Sequence, residues 1–255
     1  MERAVAHLSG FEDLGPDVGA RRAAEDRFEE AVPLPLRSGI KWEVVVAAGG
    51  IGEQIAKAAE DPHVDLILMG FKPAPQPWAV HALDWVLRQA HKPVLAVPTT
   101  VPAALAVSWR HIILATDLGP GSEATQATAR TLAKMSGADL TVALVMEDLP
   151  PPVMTPEALP VPDYRDFALK EAMRQLDQTF GPVWPETARV VLGGGDPGGE
   201  IARLARAEVA DLIVVGYQAD RSHLLGSVAD RLLNQSVCVV LVVPHTRLLP
   251  LAGAA

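Results

Sequence analysis

The 255-residue chain is expected to be an α/β protein made of two tandem doubly wound parallel-sheet domains, the first lacking one strand-helix unit. Two observations lead there. Short apolar runs of buried-strand type alternate with amphipathic helical stretches, the pattern of a parallel sheet covered on both faces. Segments also recur at a constant offset of 146 residues: Val44-Val45-Val46 over Val190-Val191-Leu192, Asp65–Gly70 over Asp211–Gly216, and Pro93–Pro98 over Val239–Pro244. Between them Ile55, Ala56, Ala59, Asp84, Leu87 and Gln89 recur as Ile201, Ala202, Ala205, Asp230, Leu233 and Gln235. Identities at helical and strand positions alike, with no gap, mark a repeat.

Taken in order, the first half offers a strand near Arg3–Leu8, a helix around Asp17–Val32 and a strand at Trp42–Val46. Only 43 residues precede Val44, whereas 79 separate His111 from Val190. Whether the first strand stands in for a first or a second strand is left open at this point. The second half opens with strand 111–116, and Ser122 is placed to cap a helix through Ser136-Gly137. Strand Leu140–Met146 and a proline-rich loop at 150–163 follow. Leu169, Ala172, Met173, Leu176 and Phe180 then share one helical face. Strand 189–192, a helix carrying Ile201, Leu204 and Ala205, strand 211–215, a helix through 227–236 and strand 237–243 complete the copy. The expected boundaries are 1–102, 103–248 and a flexible tail at 249–255.

Composition narrows the function. A formal net charge of −9 argues against nucleic acid, which asks for a clustered basic face. It leaves nucleotides open, because helix ends and glycine loops hold phosphate without basic side chains. Cys238 is the only cysteine and lies between valines, which reads as a small buried residue in a reducing compartment. No apolar leader follows Met1, and the apolar run Val237–Val243 is far short of the ~20 residues of a membrane span. A cytoplasmic protein with no membrane partner is the expectation.

Several motifs carry competing readings. Gly193-Gly194-Gly195-Asp196-Pro197-Gly198 fits G-x-G-x-x-G between a strand and a helix. However, the next strand runs into Tyr217-Gln218 with no acidic group for a ribose, and Pro197 is simply a good first helical residue. Asp220, His223 and Ser227 lack the elbow of a hydrolase and share one loop and helix start. The seven histidines show no paired ligand spacing, so no metal is required. Pro73, Pro75 and Pro77 mark a stiff connection. The sharper constellation joins Asp117, at the end of one strand, to Gly216, at the end of another, and to Gly226-Ser227, which opens a helix. Ligands of open parallel sheets bind beyond the carboxyl ends of the strands. Glycine and a helix N-terminus suit phosphate, and a carboxylate suits a ribose hydroxyl or a base amine. An N-capping serine and ordinary turn glycines are the plainer account.

These residues resemble the universal stress protein family. The resemblance rests on Ala115-Thr116-Asp117, on Val145, and on the run DLIVVG…LLGSVADRLL…VVLVVP, most completely over 111–244. It implies strand order 3-2-1-4-5 in the second half and pairing of domains through the last strand. Adenine-nucleotide-binding members carry Gly-x2-Gly-x9-Gly-Ser/Thr. Gly216, Gly226 and Ser227 match, whereas Ala219 replaces the second glycine and six residues, Asp220–Leu225, replace nine. The implied site is Asp117, Val145, Val215, Gly216, Ala219, Gly226, Ser227 and Val228. Pro73, Val80 and His81 hold the motif positions after Gly70, so the first half's site is degenerate.

The function expected is a non-catalytic stress-response protein whose second domain binds ATP or AMP weakly as a regulatory ligand. Its halves would pair as an intramolecular pseudo-dimer, with a homodimer and an unidentified regulatory protein as further partners. The alternative is a nucleotide-independent protein-interaction module, with a slow ATP hydrolase ranked last.

Overall fold

The computed structural model describes residues 3–6, 19, 22–23, 26, 41–45, 47, 49–72, 81–102, 109–146, 170–171, 173–178, 189–217, 227–235 and 238–245. In chain order the elements are β1 (Arg3–Ala6), β2 (Lys41–Val44), α1 (Ile51–Ala58), β3 (Ile67–Phe71), α2 (His81–Gln89), β4 (Val94–Pro98) and β5 (His111–Ala115). They continue with α3 (Glu123–Ser136), β6 (Asp139–Met146), β7 (Arg189–Gly194), α4 (Pro197–Ala207), β8 (Leu212–Tyr217), α5 (Ser227–Gln235) and β9 (Val239–Pro244). The chain divides into two compact units: Met1–Ile67 with His81–Lys92, and Leu68–Val80 with Pro93–Ala255.

In the first unit β1 pairs in parallel with β2, Arg3 opposite Lys41 through Ala6 opposite Val44. β1 thus stands to β2 as β6 stands to β7, the relation of a second strand to a third. Helices α1 and α2 pack on each other so tightly that a Cβ on Gly52 would lie 2.8 Å from the Cβ of Trp85. Their inner faces bury Ala56, Leu83, Val86 and Leu87.

The second unit holds a seven-stranded sheet in the order β3-β4-β9-β8-β5-β6-β7. From β5 onward the strands stand third, second, first, fourth and fifth along the sheet, all in parallel. β4 joins antiparallel to β9, with Val94, Leu95 and Ala96 opposite Val242, Leu241 and Val240. Every residue of β9 is buried, as a strand covered on both faces requires. The outer strand β3 instead alternates buried and exposed positions. Ile112, Leu114, Leu140, Val142, Leu212 and Leu241 form the core together with Ala129 and Leu132 of α3, at roughly 1.5–3 kcal/mol for each large apolar side chain buried.

Helix α3 ends at Gly137, whose φ of 68° is left-handed and whose N–H reaches the carbonyl of Ala133. At the amino ends of the central strands, the carboxylate of Asp211 accepts from the backbone of Arg110 (2.8 Å) and His111 (3.0 Å), locking β5 beside β8.

Two expectations need correction. Met173, placed on the buried helical face with Leu176, is 51% exposed while Leu176 is fully buried. It lies at the rim of the apolar stripe, where a flexible thioether is tolerated. Ser122 precedes α3 as expected, yet its hydroxyl donates back to the carbonyl of Gly119 (2.7 Å) and caps no helical N–H. Of the helix expected at Asp17–Val32, the described Gly19, Arg22, Ala23 and Asp26 are helical. Leu169, Ala172, Phe180, the proline-rich stretches at 73–77 and 150–163 and the tail at 249–255 lie outside the described residues.

Candidate functional site

The strand order reverses between β5 and β8, so the crevice beyond their carboxyl ends is where an open sheet admits a ligand. Ala115 stands opposite both Ala143 of β6 and Val215 of β8. Two residues beyond these, Val145 and Tyr217 still belong to β6 and β8, while Asp117 lies in the turn that follows β5. Of the expected residues, Val145 is half-buried, Asp117 exposed and Val215 4% exposed, with Gly216 half-buried beside it. Ser227 and Val228 open α5. Ala219 and Gly226 lie outside the described residues.

The turn from β5 into α3 is knitted by its own side chains. The Thr116 hydroxyl accepts from Leu118 N–H (3.0 Å), and Asp117 Oδ1 accepts from Gly119 N–H (2.9 Å). Leu118 has a φ of 58° and Gly121 of 91°, so the chain doubles back in left-handed conformations before α3 begins. Asp117 is exposed, and its second carboxylate oxygen lies 3.1 Å from where a Cβ of Gly119 would stand, so that glycine leaves the carboxylate room.

Behind this turn lies a cluster absent from the sequence-derived set. The Ser122 hydroxyl accepts from Gln126 Nε2 at 2.6 Å. Thr125 and Gln126 are 1% and 2% exposed, yet Thr125 Oγ1 and Gln126 Oε1 have no hydrogen-bond partner among the described residues. A partnerless buried hydroxyl costs about 1–3 kcal/mol. Directly after β9, His245 donates its backbone N–H to the carbonyl of Tyr217 (2.9 Å), which fastens the imidazole over the end of β8. A Cβ on Gly216 would lie 2.5 Å from His245 Nε2 and 3.0 Å from Thr125 Oγ1, and one on Gly121 would lie 3.1 Å from the Cβ of His245. Gly216 is therefore a glycine because two polar side chains close over its Cα. Thr125 was legible as the third residue of a helix that opens beside a strand end. His245 was legible only once β9 was known to neighbour β8.

The glycine run 193–198 has a different purpose. Asp196 caps α4 by accepting from Gly199 N–H (2.7 Å) and pairs with Arg231 (2.9 Å), so a carboxylate already holds the position a pyrophosphate would need. A Cβ on Gly198 would lie 2.7 Å from the Cβ of Arg231, so that glycine serves the packing of α4 on α5. Among the described residues there is no group of three His, Cys, Asp or Glu able to hold a metal ion. No described helix is long and apolar enough to cross a membrane.

The arrangement defines a class: an open, mostly parallel α/β sheet with a carboxylate, a glycine and buried polar groups at its switch point. The sequence pattern of the universal stress protein family matches residues 108–244, and the chain belongs to that family. A universal stress protein of Methanothermobacter thermautotrophicus is 29% identical over 105 residues, covering 39% of this chain and 72% of that one. A universal stress protein of Archaeoglobus fulgidus shares the fold, with a TM-score of 0.63 at 19% identity over 96% of this chain and 86% of the other. A functionally unassigned protein of Pseudomonas aeruginosa does so with a TM-score of 0.61 at 19% identity, over 95% and 80%.

Proposed function

We propose that this protein is a non-catalytic universal stress protein whose C-terminal half binds an adenine nucleotide, ATP or AMP, as a regulatory ligand. The observation that carries the reading is the exposed carboxylate of Asp117 just beyond β5, where the strand order reverses between β5 and β8. A sugar hydroxyl or a base amine would donate to it. Asp117, Val145, Val215, Gly216, Ser227 and Val228, with Ala219 and Gly226, are the residues proposed to line it. No metal is invoked, and Cys238, 5% exposed, suits a reducing cytoplasm.

Isothermal titration with ATP and AMP tests this. Binding is expected, Asp117→Ala should weaken it at least ~10-fold, the weight of a hydrogen bond to a charged group, and His81→Ala should leave it unchanged. Silence at millimolar ligand from folded protein would favour a nucleotide-independent protein-interaction module instead.

We also propose that the halves are copies of one domain joined as an intramolecular pseudo-dimer. The β4–β9 register supports this, because Leu95 faces Leu241, its own counterpart 146 residues on, and the flanking pairs exchange under the same offset. Such self-complementary pairing is the signature of a two-fold axis. Analytical ultracentrifugation should then give a 27.1 kDa species at micromolar concentration, and a dimer there would point to a further homotypic interface.

A further inference from the structure

The nucleotide reading leaves a question at its phosphate end, since the loop after Gly216 is shorter than the family pattern and carries Ala219 for a glycine. Fewer backbone N–H groups are then available to an anion. The cradle over Gly216 offers other donors. His245 Nε2 and Thr125 Oγ1 converge on one point, 2.5 and 3.0 Å from where a Cβ of residue 216 would stand. Thr125 is 1% exposed and its hydroxyl has no partner among the described residues. Thr125 also belongs to the first turn of the 14-residue helix α3, whose leading N–H groups receive no side-chain cap. A helix start, a hydroxyl and an imidazole thus lie together over the end of β8, with the positive end of the helix dipole on that side.

We propose that His245 and Thr125 hold a phosphate group directly attached to the sugar, giving this site a preference for a nucleoside monophosphate over the bare nucleoside. The inference rests on the nucleotide reading and adds the groups that select the anion. Asp117 follows β5 and Gly216 is next to last in β8, and these neighbouring strands lie ~4.8 Å apart laterally. A sugar engaged by the first therefore carries its nearest phosphate toward the second. The imidazole supplies an N–H from one ring nitrogen, and the threonine hydroxyl supplies a donor in place of its missing partner. His245 reaches this space because β9 lies beside β8 and His245 is tied to Tyr217.

The test is titration of adenosine and of AMP into the full chain, with His245→Ala, His245→Gln and Thr125→Val as variants. The wild-type protein should bind AMP more tightly than adenosine. His245→Ala should lower AMP affinity about 10-fold and leave adenosine affinity within about 2-fold, erasing the preference, as loss of one hydrogen bond to a charged group does. Glutamine keeps an N–H donor and should restore part of it. Thr125→Val conserves volume and should cost AMP about 3- to 10-fold. Melting curves of each variant establish folding, and if His245→Ala does not fold, Thr125→Val carries the test alone. AMP affinity unchanged in the folded variants overturns this inference and leaves the nucleotide reading intact. Equal losses for adenosine and AMP overturn it too. Failure of the wild-type chain to bind either compound overturns the nucleotide reading, and this one with it.

Discussion

Gly52 lies against Trp85 on the neighbouring helix and Gly198 against Arg231, and the two contacts are related by the 146-residue offset that relates the glycines. The approaches are nearly equal, 2.8 and 2.7 Å from a would-be Cβ. Gly70 and Gly216 stand at the same offset on β3 and β8, yet their surroundings differ. A Cβ on Gly216 would strike His245 and Thr125, whereas one on Gly70 would meet nothing within 4 Å. The helix glycines are enclosed alike in both halves, whereas of the two strand glycines only Gly216 is enclosed. A glycine retained in sequence is thus no measure of a site. What closes over it is.

The largest blow to this comparison falls on what the halves share. Leu95 and Leu241 are 7% and 2% exposed and face each other across β4 and β9. Leu241→Ala and Leu95→Ala should each cost ~2–5 kcal/mol in urea unfolding, and a large inequality would show that the seam is not symmetric in energy. Gly52→Val and Gly198→Val come next, at ~1–3 kcal/mol each from overpacking. One tolerant site among the two would end the claim of equivalent helix packing.

The strand glycines should separate more subtly. Gly216→Ala must push the His245 ring aside, so nucleotide affinity should drop ~10-fold with little stability lost, because the ring tip can move. Gly70→Ala should change no binding and stabilise by ~0.5–1 kcal/mol through lost backbone entropy. At the small end, the Arg174 guanidinium and the Gln175 amide hold the Glu171 carboxyl down to about 2. A lowered folded pKa contributes stability above the ordinary value near 4.5 that fades as pH falls toward 2. Because the pair stands at the surface, Glu171→Gln should leave acid unfolding between pH 5 and 2 unchanged, and a shifted midpoint would mean the carboxylate is less solvated than its exposure indicates.

Much of the sheet was legible because a parallel strand buried on both faces must be apolar throughout. Ile112–Ala115 and Val239–Val243 obey that rule and are found as β5 and β9. Asp117 and Gly216 could be singled out because residues at strand ends carry ligand chemistry in this architecture. His245 could not, since it meets Thr125 over Gly216 only across 120 residues of chain. The apolar periodicity that found Leu176 also claimed Met173, because spacing shows which residues share a stripe and not where the stripe ends. The G-x-G-x-x-G run could be set aside from sequence, but the packing role of its last glycine could not be read there, because its neighbour Arg231 lies on a helix that no local pattern contains.

The seam between β4 and β9 also has a consequence in time. Val94–Ala96 must wait for partners 144 to 148 residues further along the chain. At ~5–20 residues per second of synthesis, that interval is on the order of ten seconds, during which an uncharged strand edge stands open on the nascent chain. Another chain emerging nearby offers the same apolar strand and can pair with it first. The share of chains that close on themselves is then set by the pace of translation as well as by the final stability of the fold.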